Sequence, residues 1–381
     1  MAIALVNGRV LTDGGFRDDV TVLVTGDRIV GVVPRADGLP TGVPVHDLRG
    51  AALLPGFVDC QVNGGGGVLF NDAPTVDSLR TIAAAHRRFG TTGLLPTLIS
   101  DDVERMRAAL GAVRDAIEQG VPGVLGIHLE GPYLAPARKG AHDDAMFRVP
   151  GEDDVAMLSA PGAGRTVLTL APERVPADVL RALAERGVIL CAGHSAATYE
   201  QARAGLAAGV RGFTHLYNAM SPLQGREPGV VGAALEDRES WCGIIVDGHH
   251  VHPGSVRVAL AAKPRGKVFL VTDAMPPVGA AQPAFALYGE TITAIDGVCR
   301  NAAGALAGSA LDMATAVRNC VHQVGVPLEE AARMASTYPA QFLGLADTLG
   351  RIAPGYRADL VALDAQLQVQ STWIGGARDG S

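Results

Sequence analysis

The chain has 381 residues, of which 48% are hydrophobic and 19% are charged. This length allows one large domain and a small one, and the composition excludes an intrinsically disordered chain. The net charge is -7 and no cluster of Lys and Arg stands out, which argues against nucleic acid as a partner. No apolar run approaches the ~20 residues that a membrane-spanning helix needs.

The N-terminus and the cysteines bear on the cellular compartment. The first residues predict a strand and a turn rather than a signal peptide. The five cysteines are far apart and form no Cys-x-x-Cys pair, which is typical of reduced thiols in a cytosolic protein. We therefore expect a cytoplasmic protein without nucleic-acid or membrane partners.

Both ends of the chain are rich in short β segments. Three β-branched or alternating segments, separated by Asn-Gly and Gly-Asp turns, lie within residues 1–52, and two similar segments lie within 349–381. Because the two ends share this character and the middle differs, we predict one small β-sandwich domain that both termini build.

The middle of the chain, residues 53–348, alternates short apolar runs with amphipathic stretches. The eight runs lie at 53–62, 93–100, 124–131, 166–172, 188–195, 212–218, 242–248 and 267–274. Helices are predicted at 75–90, 101–120, 176–187 and 198–209, several with Thr or Asp at the start and Gly at the end. This alternation indicates a TIM-like (β/α)8 barrel, although a doubly wound open sheet would alternate in the same way. Two further helices near 308–325 and 327–344 would cover the barrel.

Four polar residues lie where apolar runs end. Glu130, His194, His215 and Asp273 stand at predicted C-terminal strand ends, where the active sites of barrels form. A single residue of this kind is equally well explained as a cap or a buried histidine with its own partners, but four at one rim indicate a site. Two imidazoles and a carboxylate are typical ligands of catalytic zinc. Asp273 would then be free to act as a general base.

Three other segments are less specific. Arg226 lies in a Gly/Pro loop and is either a solvated surface residue or a clamp for a phosphate or carboxylate. The segment 247–253 contains three histidines, of which one or two should face the rim. The glycine-rich run 63–67 lacks the features of a phosphate or dinucleotide loop, so it predicts a tight backbone bend and no cofactor.

The order and spacing of several motifs match one family. They are PGFVDCQVNGGGG, LPTLIS, GIHLEGPYL, KGAH, LAPE, AGHS, THLYNAMSPLQGREPG, CGIIVDGHHVHP, LVTDAM and LAGSALDM. On these motifs the chain resembles the N-acetylglucosamine-6-phosphate deacetylases of the amidohydrolase superfamily over nearly its whole length. The resemblance implies a metal-centred TIM-like barrel, a small β-sandwich from both termini and a homodimer.

The resemblance also implies roles for single residues. Glu130, His194 and His215 match the metal ligands. Asp273 matches the catalytic acid and base, and His142 matches a catalytic residue that polarises the acetyl carbonyl. The implied substrate contacts are Gln61, Ala141, His142, Asn218, Ala219, Arg226, Asp247, His250, Leu306, Ala307 and Gly308. Of these, Arg226 and His250 match the pair that binds the phosphate, the arginine coming from the neighbouring subunit.

The end of the first barrel strand departs from many amidohydrolases. A His-x-His pair that holds a second metal is common there, but this chain has Gln61 and Asn63. Amides are poorer zinc ligands than imidazole, and within the family this version resembles the mononuclear one. We therefore expect one divalent ion per subunit, Zn²⁺. Cys60 is out of phase with Gln61, so we expect it to face the helices and not to be a ligand.

The expected reaction is hydrolysis of N-acetyl-D-glucosamine 6-phosphate to D-glucosamine 6-phosphate and acetate, in amino-sugar catabolism and cell-wall sugar recycling. Two alternatives stay open. One is deacetylation of another N-acyl hexosamine phosphate, such as the galacto epimer, because the sequence does not determine which sugar epimer fits. The other is a non-catalytic barrel kept as a scaffold, against which the retained metal ligands and Asp273 argue.

Overall fold

Eight parallel strands form a barrel at the centre of the computed structural model, which describes residues 2–38, 41–159, 162 and 164–379. The strands are β1 (Phe57–Val62), β2 (Thr91–Ile99), β3 (Gly126–Glu130), β4 (Arg165–Leu170), β5 (Ile189–Ala192), β6 (Val210–Phe213), β7 (Trp241–Ile244) and β8 (Val268–Leu270). Each strand pairs with the next along the chain. The N–H of Asp273 donates to the carbonyl oxygen of Gln61 at 3.0 Å, and the N–H of Asn63 donates to that of Ala274 at 2.8 Å. These bonds join the end of β8 to β1, so the barrel closes. The barrel prediction is confirmed, and the open sheet is excluded.

Helices lie between successive strands and after the barrel. They are α1 (Val76–Arg87), α2 (Val103–Glu118), α3 (Glu152–Leu158), α4 (Ala177–Glu185), α5 (Tyr199–Ala207), α6 (Gly229–Glu236), α7 (Pro253–Ala262), α8 (Met313–Asn319), α9 (Leu328–Ala335) and α10 (Thr337–Phe342). The predicted caps form: the side chains of Thr75, Asp102 and Thr198 accept backbone N–H groups at the starts of α1, α2 and α5. None of the helices in the described parts of the chain is long and apolar enough to cross a membrane.

The last two helices cover the end of the barrel where the strands begin. The ring of Phe342 in α10 stacks on Phe269 of β8 with centroids 4.8 Å apart, and lies 6.2 Å from the ring of Trp241 at the start of β7. Arg165, the first residue of β4, donates to the carbonyl oxygen of Leu343 at 2.9 Å. Any active site at the rim of the barrel must therefore lie at the opposite end, where the strands end and which these helices leave open.

Strands from both termini form two mixed sheets. One contains Arg28–Pro34, Val20–Thr25, Ala2–Val6 and Val45–Asp47, and the other contains Ala377–Arg378, Val369–Ile374, Leu360–Leu363, Ala52–Pro55, Arg9–Thr12 and Gly15–Arg17. Buried side chains of both sheets, among them Val22 and Trp373, share one hydrophobic core. The joint contribution of the two termini is thus as expected, while the domain bounds at 52/53 and 348/349 stay a prediction.

An additional sheet, which the sequence did not predict, follows the last barrel strand in the chain and precedes α8. Its four strands are Ala284–Leu287, Glu290–Ile295, Val298–Arg300 and Leu306–Ser309. The helix expected near 308–325 therefore begins later, at Met313, where the side chain of Asp312 accepts the N–H of Thr315. It continues as a π-helical turn at Cys320–Val324. A short hairpin, Gly64–Gly65 with Val68–Leu69, follows β1.

Candidate active site

Four polar side chains converge at the C-terminal ends of the barrel strands. Glu130 is the last residue of β3, while His194, His215 and Asp273 follow β5, β6 and β8 within three residues. These last three residues have φ angles of 47°, 33° and 53°, in the left-handed region that residues other than glycine seldom adopt. Such strained backbone persists only where the surrounding structure holds it, and it is frequent at functional sites. The sharp turns aim these three side chains into the mouth of the barrel, where Glu130 also lies.

Glu130, His194 and His215 form a group that fits a divalent cation. The Nε2 atoms of His215 and His194 lie 2.8 and 3.2 Å from Oε1 of Glu130 and 3.1 Å from each other. Nδ1 of His194 lies 2.9 Å from the carbonyl oxygen of Arg138, which can only accept, so the proton of a neutral ring is on Nδ1. Its Nε2 lone pair then faces a carboxylate and a second imidazole. A shared cation reconciles these groups, and the donor set is one that zinc prefers.

Asp273 lies beside this group and is held by two amides. Nδ2 of Asn63 donates to Oδ1 of Asp273 at 2.7 Å, and Nε2 of Gln61 donates to the same oxygen at 3.1 Å. Gln61 also donates to both carboxylate oxygens of Glu130 at 3.2 Å. Burial in the cavity raises the pKa of Asp273 to about 6, and the negative charge of Glu130 adds to the rise. A carboxylate with such a pKa is suited to accept and return a proton near neutral pH.

His142 faces the metal group from the loop that follows β3. Its ring centroid lies 4.4 Å from that of His194, and its Nδ1 lies 2.8 Å from Oγ of Ser100. Burial lowers the pKa of His142 to about 3, and the neighbouring His194 contributes to the fall, so this ring is neutral at physiological pH. A neutral imidazole at this place can donate a hydrogen bond to an acyl oxygen.

A cavity of about 390 Å³ opens above these side chains. The predicted residues that line it are Glu130, Ala141, His142, His194, His215, Asn218, Ala219, His250, Asp273, Leu306 and Gly308. Ile99, Arg138 and Met275 line it too, and the sequence reasoning missed them. A larger cavity of about 780 Å³ lies between α2, α3 and the starts of β3 and β4, but no predicted site residue lines it. The candidate site is therefore identified by the polar side chains that line the smaller cavity and not by cavity volume.

Four predicted contacts do not line this cavity within one chain. Gln61 lies behind Glu130 and Asp273, and Ala307 faces a neighbouring cavity. Asp247 supports His250: its Oδ2 lies 2.6 Å from Nδ1 of that ring, and its Oδ1 accepts the N–H of His250 at 2.8 Å. Arg226 is exposed on the loop before α6. The expectation that one or two histidines of 247–253 face the rim is met by His250.

The charge of Asp247 is stabilised by this contact. Burial would raise its pKa, but the hydrogen bond and the positive charge available on His250 outweigh burial and lower it. An ionised Asp247 accepts from Nδ1–H of His250, which leaves the Nε2 side of the ring for the cavity. Asp247 thus fixes the orientation of the His250 ring at the cavity wall.

Buried polar residues form a floor beneath the metal group. His128 of β3 lies 3.1 Å from Oγ1 of Thr97 and 2.7 Å from Oγ1 of Thr169. Asp59 of β1 accepts the hydroxyl of Thr272 at 2.5 Å and the N–H of Gln61 at 3.2 Å. The contacts of His128 link β3 with β2 and β4, and the contact of Asp59 links β1 with the segment that follows β8. A satisfied polar floor of this kind restricts the strand ends to one arrangement.

Cys60 does not face the helices, so that prediction is wrong. It lines a small cavity of about 20 Å³ together with Gln61, His128 and Cys191. The pairing of β1 with β2 shifts by one residue between Asp59 and Val62, which breaks the alternation of side chains on which the prediction rested. Cys60 still is no ligand: among the described residues only Glu130, His194 and His215 meet the geometry of a metal group.

The glycine-rich run after β1 is a close-packed turn, as expected. A Cβ on Gly64 would lie 2.4 Å from the carbonyl oxygen of Val68, and one on Gly65 would lie 2.9 Å from the ring of His86. The N–H of Gly64 donates to the carbonyl oxygen of Ala274 at 3.0 Å. The run therefore holds β1 against the segment that carries Asp273, and it lies behind the site.

A closed (β/α)8 barrel with two imidazoles and two carboxylates at its C-terminal rim defines a class of hydrolytic enzymes. Residues 52–381 match the amidohydrolase family, and the chain belongs to that family. It is 42% identical over 369 residues to an N-acetylgalactosamine-6-phosphate deacetylase of Shewanella sp. (strain ANA-3), covering 97% of this chain and 93% of the relative.

Two solved structures have the same fold over all or nearly all of their length. An N-acetylglucosamine-6-phosphate deacetylase from Pasteurella multocida is 36% identical with a TM-score of 0.96, and the match covers 100% of both chains. A mutant of the N-acetyl-D-glucosamine-6-phosphate deacetylase from Mycobacterium smegmatis, in complex with N-acetyl-D-glucosamine-6-phosphate, is 33% identical with a TM-score of 0.89, covering 99% of this chain and 98% of that one. The family resemblance seen in the motifs is therefore confirmed.

Proposed function

We propose that this enzyme hydrolyses the acetamide of N-acetyl-D-glucosamine 6-phosphate to D-glucosamine 6-phosphate and acetate. The observation that carries the proposal is the position of Asp273, which two amides hold beside the Glu130, His194 and His215 group at the floor of a sugar-sized cavity. The names of the relatives supply the substrate class, since all three act on N-acetylhexosamine 6-phosphates.

Glu130, His194 and His215 would hold one Zn²⁺ per subunit. The ion supplies Lewis acidity, which polarises a carbonyl and lowers the pKa of water. The motif resemblance implies that Gln61 and Asn63 stand where many members of the superfamily have histidines for a second metal. Their N–H groups face the carboxylates of Glu130 and Asp273, so they act as donors here and not as ligands.

The proton transfers are assigned to Asp273. In the first step its carboxylate takes a proton from the attacking water, whose oxygen bonds to the acyl carbon. In the second step it returns that proton to the amide nitrogen as the C–N bond breaks, which releases acetate and the free amine. His142 donates a hydrogen bond to the acyl oxygen, on which negative charge develops in between.

The phosphate is assigned to His250 and to Arg226 of a neighbouring subunit. His250 lines the cavity, and Asp247 fixes its orientation. Arg226 is exposed and outside the cavity of its own chain, a position that suits a contact across a subunit interface. The enzyme is accordingly proposed to act as a homodimer in the cytoplasm, in amino-sugar catabolism and cell-wall sugar recycling.

The galacto epimer is the second candidate substrate. The relative with 42% identity carries that specificity in its name, while the two solved structures carry the gluco name at 36% and 33%. The epimers differ only at the hydroxyl of one sugar carbon, which loop contacts would have to distinguish. Both candidates share the reaction and the residues that perform it.

The deciding experiment is acetate release from a panel of sugars. We expect kcat/KM to be highest for N-acetylglucosamine 6-phosphate, lower for the galacto 6-phosphate, and far lower for both sugars without phosphate. A reversed order of the two phosphates would assign the enzyme to the galacto epimer. Release from none of them, together with no bound metal, would favour the non-catalytic scaffold.

A further inference from the structure

Ser100 binds one nitrogen of His142 through two of its own groups. Its backbone N–H donates to Nδ1 of His142 at 3.3 Å, and its Oγ lies 2.8 Å from the same atom. A backbone N–H can only donate, so Nδ1 must present its lone pair. In a neutral imidazole the single proton then lies on Nε2.

We propose that Ser100 is a positioning residue that fixes the tautomer of His142, so that Nε2–H is available to donate to the acyl oxygen of the substrate. The proposal deepens the function proposed above and rests on it. The opposite tautomer would turn the Nε2 lone pair towards that oxygen and would repel the charge that develops on it. A donor aimed beforehand at such an oxygen is among the largest contributions to catalysis.

The same contact separates the roles of the two titratable side chains. With Nδ1 occupied by Ser100 and a proton on Nε2, neither nitrogen of His142 is free to take a proton from water. Asp273, whose Oδ1 accepts from both Asn63 and Gln61, is then the general base. Ser100 thereby determines that His142 acts as a donor only.

Burial and a hydrogen bond from Tyr288 hold Ser100 in position. It follows the last residue of β2 and is buried, with only 1% of its surface exposed. Its carbonyl oxygen accepts the hydroxyl of Tyr288, in the turn between the first two strands of the additional sheet, at 2.7 Å. Gly131, with φ at +91°, leaves the space that the hydroxyl needs, because a Cβ there would lie 2.2 Å from Oγ of Ser100. A glycine after Glu130 thus permits the Ser100 contact.

The test combines NMR of the histidines with steady-state kinetics. In metal-loaded protein with 15N-labelled imidazoles, assigned by comparison with a His142→Gln variant, we expect the proton of His142 on Nε2 and none on Nδ1. Ser100→Ala removes the hydroxyl, which makes the shorter of the two contacts, and keeps the backbone N–H. We expect kcat of this variant to fall about 10- to 100-fold, the usual effect of removing a partner that orients a functional histidine, with little change in KM. The matched control is Tyr288→Phe, which removes a hydroxyl that contacts Ser100 only at its carbonyl oxygen and should change kcat much less.

Several outcomes would overturn the proposal. They are a proton on Nδ1 of His142, an unchanged kcat in Ser100→Ala, or equal losses in Ser100→Ala and Tyr288→Phe, which would indicate a merely structural role. If Ser100→Ala does not fold, the spectrum of the unsubstituted protein decides alone. If no sugar yields acetate, the proposed function fails, whereas the spectrum still tests the tautomer.

Discussion

Asn63 donates its Nδ2–H to Oδ1 of Asp273 over 2.7 Å, and Gln61 donates to the same oxygen over 3.1 Å. Both amides therefore bind one edge of the carboxylate, and neither bonds to Oδ2. The free edge is the one that can take a proton without breaking either contact. Two uncharged donors thus orient the carboxylate that we propose as the general base.

The Asp273→Asn variant should keep its metal and lose turnover. Its Oδ1 can still accept from Asn63 and Gln61, so the fold and the metal group should persist. An amide takes no proton from water, so we expect kcat to fall by about 10²- to 10⁴-fold. Steady-state acetate release and metal analysis check this, with Asp312→Asn as the control, because asparagine also caps a helix. A nearly normal kcat would remove Asp273 from the mechanism.

The sequence predicted those parts of the fold and site that depend on local pattern. The alternation of apolar runs and helices favoured the barrel without excluding an open sheet. Glu130, His194, His215 and Asp273 could be found because polar residues rarely end buried strands. The additional sheet was missed because its strands are short, with three to six residues each, and because Ala284–Leu287 is largely exposed. Contacts between distant segments were equally out of reach, as with Tyr288 and Ser100, which are 188 positions apart.

One divalent ion per chain should be found in the purified protein, and Glu130→Ala should lose it. Removing the carboxylate leaves two imidazoles, which form an incomplete set for a tetrahedral ion. The matched control is His128→Gln, which changes a buried residue of the same strand that bonds Thr97 and Thr169 and lies outside the metal group. Elemental analysis after dialysis measures the ratio. A full equivalent in Glu130→Ala would disprove the ligand assignment.

Replacing both Gln61 and Asn63 by histidine should create a binding site for a second metal ion. The two side chains already face Glu130 and Asp273, whose oxygens would complete the site. We expect close to two equivalents of zinc per chain, because imidazole is a far better zinc ligand than an amide. The unsubstituted protein, loaded in parallel, is the reference. If it also binds two equivalents, the expectation of a mononuclear site is wrong.

Arg226→Ala should raise KM for the phosphorylated sugar and change kcat little. Losing one hydrogen bond between charged groups corresponds to about 10- to 100-fold in KM. Arg238→Ala, which also removes an exposed arginine, is the matched control. Mixing and reassociating Arg226→Ala with Asp273→Asn tests the origin of the arginine. If it acts on the neighbouring subunit, mixed dimers regain one complete site with a low KM; if it acts within its own chain, no such site appears.

Asp59→Asn should change how stability depends on pH. Burial raises the pKa of Asp59 to about 7, although the hydroxyl of Thr272 and two backbone N–H groups oppose the rise, whereas the ordinary pKa of an aspartate, taken for the unfolded chain, is 3.8. Between these values the folded state holds one proton more than the unfolded state. The contribution of this group to stability is therefore complete below the lower value, falls as pH rises, and is lost above the upper one.

Asparagine reproduces the hydrogen bonds of the protonated acid, because its Oδ1 can accept the N–H of Gln61 and its Nδ2–H can donate to Oγ1 of Thr272. We therefore expect the free energy of unfolding of Asp59→Asn, relative to the unsubstituted protein, to rise between about pH 4 and about pH 7 by at most about 1.4 kcal/mol per unit. Urea titrations at several pH values measure this difference, with Asp296→Asn in an exposed hairpin turn as the control. A difference that stays constant across this range would mean that Asp59 is ionised throughout, and that its hydrogen bonds with Thr272 are those of a carboxylate.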